Sequence, residues 1–196
     1  MSETNKPVKN SVGCVIMAAG NSERFGSNKL LSLFEGKTLI KHTFDAVPSD
    51  SLSSVIVVTQ YDEILSLAAS YSFQSIINDR PEDGISRTIR IGTEALKDSC
   101  DAILYMVSDQ PRLRKESIEG LISFFREHPG KIAAASYNGK RGNPCIFPKK
   151  FFPSLLKLSG DTGGSSVIRS NPDELLLYEV GPGELSDIDT KSDIVS

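Results

Sequence analysis

Residues 12–33 read VGCVIMAAGNSERFGSNKLLSL, and this stretch decides how the rest of the chain is interpreted. Its first seven residues are apolar apart from Gly13 and rich in β-branched side chains, which predicts a buried strand. The polar loop that follows carries Arg24 and Lys29 among small residues. Small residues let a backbone approach a ligand closely, and exposed N–H groups beside two cations favour an anion such as a polyphosphate.

Two common phosphate-binding motifs do not follow this strand. Neither G-x-x-x-x-G-K-[ST] nor G-x-G-x-x-G is present there, which argues against a P-loop and against a Rossmann dinucleotide site. On composition alone, a solvated surface loop with two ordinary cations is an equally good interpretation.

The composition indicates one globular domain with no general affinity for nucleic acid or anionic membranes. The chain has 196 residues and a formal net charge of -3 at pH 7, so a cationic site has to be local. No apolar signal core occurs in residues 1–10, and no run approaches the length of a membrane span. We therefore expect a cytoplasmic protein with a disordered leader over residues 1–10, a single domain over residues 11–196 and three reduced cysteines.

Apolar runs and helical periodicities alternate along the chain. Strands are predicted at residues 12–18, 54–59, 74–77, 102–107, 132–137, 175–180 and 185–189, and helices at residues 38–47, 62–70, 115–127, 151–158 and within 78–96. The alternation predicts an α/β fold around a mostly parallel sheet. Gly84 and Ser86 lie where the helix within residues 78–96 begins, a position at which serine commonly caps a helix.

Asp109 follows the predicted strand 102–107 in the turn Ser108-Asp109-Gln110-Pro111. Open α/β sheets bind their ligands beyond the carboxyl ends of the strands. A carboxylate is also the kind of oxygen donor that Mg²⁺ prefers. An aspartate in such a turn is often structural, so the residue type alone leaves both interpretations open.

The loop at residues 18–31, AAGNSERFGSNKLL, resembles the signature A-A-G-x-S-x-R-[MF]-G-x-x-K-L-L of the MobA-like nucleotidyltransferases. These include the molybdenum cofactor guanylyl- and cytidylyltransferases, in which the loop wraps the triphosphate of a nucleoside triphosphate. The resemblance extends over about residues 12–193. It implies a Rossmann-like, three-layer α/β fold with a mostly parallel sheet and helices on both faces, of the nucleotide-diphospho-sugar transferase type.

The same resemblance implies a nucleotide site and a metal site. The segment Gly84-Ile85-Ser86-Arg87-Thr88-Ile89 resembles the family element G-[ML]-S-x-S-[IL], from which Arg87 and Thr88 depart. The implied nucleotide-binding residues are Ala18, Ala19, Gly20, Arg24, Lys29, Gly84, Ser86 and Asp109, of which Arg24, Lys29 and Asp109 are the implied catalytic residues.

The metal would be Mg²⁺. Asp109 matches the metal-binding turn D-[MQ]-P, and residues 187–190 match the start of D-I-D-T-P-E-D, which ends here in Lys191-Ser192-Asp193. Side chains alternate along a strand, so only one of Asp187 and Asp189 would face the metal. We favour Asp189 as the second ligand and keep Asp187 as the alternative.

Two further segments resemble the family's acceptor-binding elements. RGNPCIF at residues 141–147 resembles R-G-[NH]-P-[VCI]-[LI]-F, and GDTGG at residues 160–164 resembles S-G-D-x-G. The implied acceptor-binding residues are Gly142, Asn143, Pro144, Gly160 and Asp161. From the residues alone, the first segment is a hairpin rim and the second is a C-cap glycine followed by an Asp or Thr N-cap.

The resemblance implies Mg²⁺-dependent transfer of CMP from CTP to molybdenum–molybdopterin, with release of pyrophosphate. Ala19 stands where family members that use GTP tend to have glycine, and this favours CTP. A molybdenum hydroxylase is a possible partner; no nucleic acid or membrane partner is expected. Two alternatives stay open, a nucleotidyltransferase acting on a sugar or polyol phosphate and a non-catalytic carrier of the molybdenum cofactor.

Overall fold

The computed structural model describes residues 10–21, 25 and 28–194. The strands within these residues are β1 Val12–Ala18, β2 Leu33–Phe34, β3 Lys37–Thr38, β4 Ser54–Thr59, β5 Gln74–Ile77, β6 Ala102–Val107, β7 Ile132–Tyr137, β8 Lys140–Pro148 and β9 Leu175–Glu179. The helices are α1 Leu39–Asp45, α2 Asp62–Ser70, α3 Ile85–Leu96, α4 Lys115–Glu127, α5 Phe152–Leu156 and α6 Ser165–Arg169. The predicted leader lies, apart from Asn10, outside the described residues.

Seven strands form one sheet in the order β5-β4-β1-β6-β8-β7-β9. β1 lies at its centre and pairs in parallel with β4 and β6, so that Cys14 is opposite both Val55 and Leu104. β8 pairs antiparallel with its neighbours β6 and β7, and β9 is parallel to β7. The predicted α/β fold with a mostly parallel sheet is confirmed.

Helices cover both faces of the sheet, because the central strands are apolar on both sides. On one face Cys14 and Ile16 belong to a core with α1, α2 and α4; on the other, Val15 packs in a core with α3, α5 and α6. Such burial on both faces explains why these strands are continuous apolar runs rather than alternating ones. Cys14, Cys100 and Cys145 are buried free thiols. Within the described residues, no helix combines the length and apolar character needed to cross a bilayer.

The predicted strand at residues 185–189 is not formed. This segment is irregular, and its backbone is tied to the sheet edge by the Ile188 N–H, which donates to the Asp109 carbonyl at 2.9 Å. Ile188 is buried in a small separate cluster with Phe25, Phe34 and Leu39. One buried side chain between two aspartates resembles the alternation of a strand, but the segment pairs with no strand of the described residues.

Two predicted helix caps are also wrong. Gly84, not Ser86, is the N-cap of α3, and Ser86 lies inside the first turn. Likewise Gly164 is the N-cap of α6, without any side-chain cap from Asp161 or Thr162. In both places glycine occupies the N-cap position, and the helix has no side-chain cap.

The strand order reverses direction next to β1. The chain proceeds from β1 to β4 and β5 on one side, and then to β6 on the other side. In open α/β sheets, ligands bind in the crevice beyond the carboxyl ends of the strands at such a switch point. The loop after β1 and the turn with Asp109 after β6 flank this crevice.

Candidate active site

An open cleft of about 570 Å³ lies at this switch point. The predicted site residues that line it are Ala19, Gly20, Lys29, Gly84, Asp109, Asp161 and Asp189. They come from five separate parts of the sequence and meet where the carboxyl ends of β1 and β6 lie side by side. The fold therefore brings most of the predicted nucleotide site together with part of the predicted acceptor site.

Lys29 lies at the centre of the acidic part of the cleft. Its Nζ donates to Asp109 Oδ2 at 2.8 Å and to the Ile188 carbonyl at 3.0 Å, and lies 3.6 Å from Asp189 Oδ1. Its side chain is only 16% exposed, and that of Asp109 is 23% exposed. Charge-assisted hydrogen bonds in such a partly buried setting are stronger than those at an open surface. The predicted phosphate-binding cation and the two predicted metal ligands thus form one charged cluster.

Asp109 has an oxygen that could coordinate a metal. While Oδ2 accepts from Lys29, Oδ1 is buried and finds no hydrogen-bond partner among the described residues. Buried carboxylate oxygens are normally satisfied, so an unsatisfied one calls for an explanation. Within the described residues no group of three potential ligand side chains occurs. Mg²⁺ in phosphate-handling sites commonly takes one or two carboxylates and fills its shell with water and phosphate. Asp109 and Asp189 fit that requirement.

Asp187 and Asp189 differ in what surrounds them. Asp189 lines the cleft with its side chain 45% exposed. Asp187 instead accepts a 2.9 Å hydrogen bond from Gln110 Nε2. Burial, together with the charges of Asp109 and Asp189, raises the pKa of Asp187 despite that hydrogen bond. Of the two aspartates left open by the sequence, Asp189 is the one placed in the cleft wall, although not because of strand alternation.

The irregular segment that carries these aspartates is fastened to the loop before α4. Glu184 is 3% exposed and accepts from the Arg114 backbone N–H at 3.0 Å, from Arg114 Nη2 at 2.6 Å and from the Gly181 N–H at 2.8 Å. Gln110 Nε2 also donates to the Leu185 carbonyl at 3.3 Å. These contacts hold Asp189 in position without a strand.

The predicted nucleotide and acceptor segments touch each other at the start of α3. Gly84 has φ of +80°, and a Cβ built there would lie 2.5 Å from the Gly160 carbonyl oxygen and 2.7 Å from Asp161 Oδ1. The Ser86 N–H donates to that same carbonyl at 3.2 Å. Only glycine combines a positive φ with this close approach. The loop at residues 160–161 therefore packs directly against the N-terminus of α3.

Some predicted site residues do not line the cleft. Ala18 is 1% exposed and Ser86 is fully buried, with its hydroxyl donating to the Asp83 carbonyl at 3.4 Å. In β8, Gly142 and Asn143 are half-buried and Pro144 is buried, and the Asn143–Pro144 peptide is cis. Gly160 contributes its backbone to the contact with α3. Arg24 lies outside the described residues.

Other residues of the cleft wall were not predicted. They include Pro81, Glu82, Ile85 and Thr88, which surround the start of α3. Ile85 is 38% exposed despite being apolar. Neither its residue type nor its spacing in the sequence marks Ile85 as part of a ligand surface.

A family model described as the MobA-like NTP transferase domain matches residues 14–175. The chain belongs to this family. It is accordingly a nucleotidyltransferase, and the cleft at the switch point of its sheet is the candidate active site of a MobA-like transferase.

Two relatives of this MobA-like transferase carry different names. It is 28% identical over 189 residues to the purine catabolism protein PucB of Bacillus subtilis, covering 90% of each chain. It is 30% identical over 131 residues to an 8-amino-3,8-dideoxy-manno-octulosonate cytidylyltransferase of Shewanella baltica. That match covers 64% of this chain and only 52% of the relative, so the chain spans about half of that protein's length.

The fold is shared with solved structures at lower sequence identity. The crystal structure of Rv0371c from Mycobacterium tuberculosis has a TM-score of 0.80 at 20% identity, and the match covers 96% of this chain and all of that one. The mycobacterial protein has also been solved in complex with manganese, with a TM-score of 0.77, 20% identity and coverage of 93% of this chain and 95% of that one. These likenesses establish the three-layer nucleotidyltransferase fold.

Proposed function

We propose that this MobA-like transferase moves CMP from CTP to molybdenum–molybdopterin, releasing pyrophosphate and giving the molybdopterin cytosine dinucleotide cofactor. The observation that carries the proposal is the meeting of Lys29, Asp109 and Asp189 in one cleft beside the loop after β1. Phosphoryl-type transfer relies mainly on positioning and charge neutralisation. In this cleft the Lys29 cation can neutralise phosphate charge, and the two carboxylates can position a metal ion.

In the proposed reaction an oxygen of the acceptor's terminal phosphate forms a bond to the α-phosphorus of CTP. The bond from the α-phosphorus to the bridging oxygen breaks, and pyrophosphate leaves with that electron pair. Lys29 would turn from Asp109 toward the β- and γ-phosphates and offset the charge that develops on the leaving group. Arg24, by its place in the loop motif, would share this role as a planar two-pronged donor.

Asp109 and Asp189 would hold Mg²⁺. When bound, the ion would neutralise phosphate charge at the reacting centre. The unsatisfied Asp109 Oδ1 and the exposed Asp189 carboxylate support this assignment. The manganese complex of the mycobacterial structural neighbour supports a divalent cation in this fold.

The choice of CTP and of a molybdopterin acceptor rests on particular residues. Ala19, which lines the cleft, is the position at which the motif favours CTP over GTP. Asp161 and the carbonyl of Gly160 would seat the acceptor from one side, and residues 142–144 of β8 from the other. The B. subtilis relative is named for purine catabolism. A molybdenum hydroxylase acting on purines would connect that name with the proposed cofactor.

A second candidate is cytidylyl transfer to a sugar acid or a polyol phosphate. The observation that favours it is the 30% identity to a cytidylyltransferase named for an amino-dideoxy-octulosonate acceptor. Both candidates share CTP and the cleft, and they differ only in the acceptor.

The test is pyrophosphate release with Mg²⁺ from CTP, GTP, ATP and UTP in turn. Each nucleotide is offered with molybdenum-loaded molybdopterin, with an octulosonate sugar acid and with a methylerythritol-type phosphate. Release from CTP that depends on the pterin is the expected result. Release only with a sugar acid or polyol phosphate would replace the proposal by the second candidate. Nucleotide binding without release for any acceptor would favour the carrier.

A further inference from the structure

Four consecutive carbonyl oxygens at the end of β1 each accept a hydrogen bond from a side chain of a neighbouring strand end. Ser108 Oγ donates to the Met17 carbonyl and Thr59 Oγ1 to the Ala18 carbonyl, both at 2.9 Å. These two hydroxyls are buried and belong to the ends of β6 and β4. They fix the last residues of β1 between its two neighbouring strands.

The next two carbonyls belong to the loop itself. Gln60 Nε2 donates to the Ala19 carbonyl at 2.9 Å, and the Tyr61 hydroxyl donates to the Gly20 carbonyl at 2.7 Å. Gln60 Nε2 also lies 3.0 Å from Asn21 Oδ1. Gln60 and Tyr61 are not part of the cleft wall. They contact the loop from the side of β4.

The direction of these carbonyls determines the direction of the following N–H groups. In a trans peptide the C=O and the N–H point to opposite sides of the same plane. Because the carbonyls of Ala19 and Gly20 face β4, the N–H groups of Gly20 and Asn21 face away from it. Both residues line the cleft, and across the described part of the chain neither N–H donates to a protein acceptor.

We propose that Gln60 and Tyr61 are positioning residues for nucleotide binding, which hold the carbonyls of Ala19 and Gly20 out of the cleft. Adjacent N–H groups fixed in this way form an anion-binding concavity for the triphosphate. A carbonyl that rotated toward the triphosphate would repel it and would withdraw an N–H donor at the same time. The proposal rests on the proposed binding of a nucleoside triphosphate, but it does not depend on which base or acceptor is used.

The test compares Tyr61→Phe, Gln60→Met and the double variant with wild type. Each substitution keeps the approximate side-chain volume and removes the donor. Tyr71→Phe is the matched control, because it removes another tyrosine hydroxyl, which donates to Asp45 at 2.6 Å, away from the cleft. The measurements are calorimetric binding of CTP and of inorganic tripolyphosphate, KM for nucleotide and acceptor, and the thermal midpoint.

We expect each single variant to weaken tripolyphosphate and CTP binding roughly fivefold, since one hydrogen bond contributes about a factor of this size. The double variant should exceed the product of the two single effects, because either contact alone still restrains the loop. Nucleotide KM should rise while acceptor KM stays constant, and Tyr71→Phe should match wild type.

If the wild-type protein binds nucleotide and the folded double variant binds it equally well, the positioning proposal is overturned, but the proposed function is not. An equal rise of acceptor KM would also overturn it, because a general loosening of the site would then explain the effect. Wild-type protein that binds neither tripolyphosphate nor any nucleoside triphosphate would overturn the proposed function, and this inference with it.

Discussion

Lys29 Nζ and Asp109 Oδ2 are joined by a 2.8 Å hydrogen bond, although the two groups are assigned to different partners in the reaction. The ammonium of Lys29 forms an ion pair with the carboxylate of Asp109, which is proposed to hold the metal. Triphosphate binding would draw Lys29 away and leave Asp109 available to a cation. Nucleotide and metal are therefore expected to bind cooperatively.

Replacing Lys29 by alanine should have opposite effects on the two ligands. CTP binding should weaken about tenfold or more, because a charge-assisted contact is lost. Mn²⁺ binding to the nucleotide-free protein should become tighter, because Asp109 no longer pairs with an ammonium. Electron paramagnetic resonance of free Mn²⁺ and calorimetry with CTP measure the two effects. Lys37→Ala, which breaks an ion pair with Asp45 away from the cleft, is the control. Weaker Mn²⁺ binding in Lys29→Ala would contradict this account.

Asp109→Asn should abolish turnover while leaving the protein folded. The amide has the shape of the carboxylate but lacks its charge, and losing one preorganised electrostatic group commonly reduces kcat by about a hundredfold or more. Metal-free CTP binding should persist, since Lys29 keeps its contact with the Ile188 carbonyl. Pyrophosphate release and calorimetry check both statements. Full activity in this variant would remove Asp109 from the mechanism.

Gly20 and Gly92 offer a matched pair of glycine-to-alanine substitutions. A Cβ at Gly20 would meet no atom of the described residues within 4 Å, whereas a Cβ at Gly92 would lie 2.5 Å from Val15 Cγ1. Gly20→Ala should keep its thermal midpoint but raise the nucleotide KM, because the new methyl group enters space meant for the ligand. Gly92→Ala should lower the free energy of unfolding by about 1–3 kcal/mol through overpacking of the core.

The thermal midpoint and the nucleotide KM are measured for both variants. Together they distinguish a methyl group that obstructs the ligand from one that overpacks the core. An unchanged nucleotide KM in Gly20→Ala would mean that the triphosphate does not approach this part of the loop.

Glu184→Gln should destabilise the protein in a pH-dependent way. Burial alone would raise the pKa of Glu184, but hydrogen bonds from Arg114 and other groups outweigh it and lower the pKa below its usual value of 4.5. A carboxylate with a lowered pKa stabilises the folded state above its unfolded pKa, and this stability is lost as pH falls through the folded pKa.

We expect the glutamine variant to lose about 2 kcal/mol of unfolding free energy at pH 7, the size of a charged hydrogen bond. The difference from wild type should shrink below a pH of about 4.5. Urea titrations at several pH values measure it. A difference that stayed constant down to pH 3 would show that packing rather than charge is responsible.

The sequence predicted the central sheet well because its strands are apolar on both faces. β1, β4 and β6 have the predicted bounds, since each is a short apolar or β-branched run with polar or turn residues at its ends. The edge strand β5 also has the predicted bounds, although half of its residues are polar and most are exposed. The site residues at the ends of β1 and β6 could also be expected, because the carboxyl ends of parallel strands meet at one edge.

Other parts of the site depend on contacts between distant residues. Ser86 has the residue type of an N-cap, yet its N–H donates to the carbonyl of Gly160, which lies far along the chain. Asp189 is held by the Glu184 and Ile188 contacts rather than by strand pairing. Gln60 and Tyr61 belong to none of the motifs found in the sequence. Local periodicity contains no information about such partners.

The contact of Gly160 with Gly84 limits how the proposed acceptor loop, residues 160–164, can be redesigned. A loop transplanted from a different transferase in place of residues 160–164 must present a backbone carbonyl to the Ser86 N–H and leave Gly84 without a clash. Random libraries confined to that loop would therefore contain many variants that disturb α3. Acceptor range in this lineage is expected to have diversified through paired changes in the loop and at the start of α3, rather than through the loop alone.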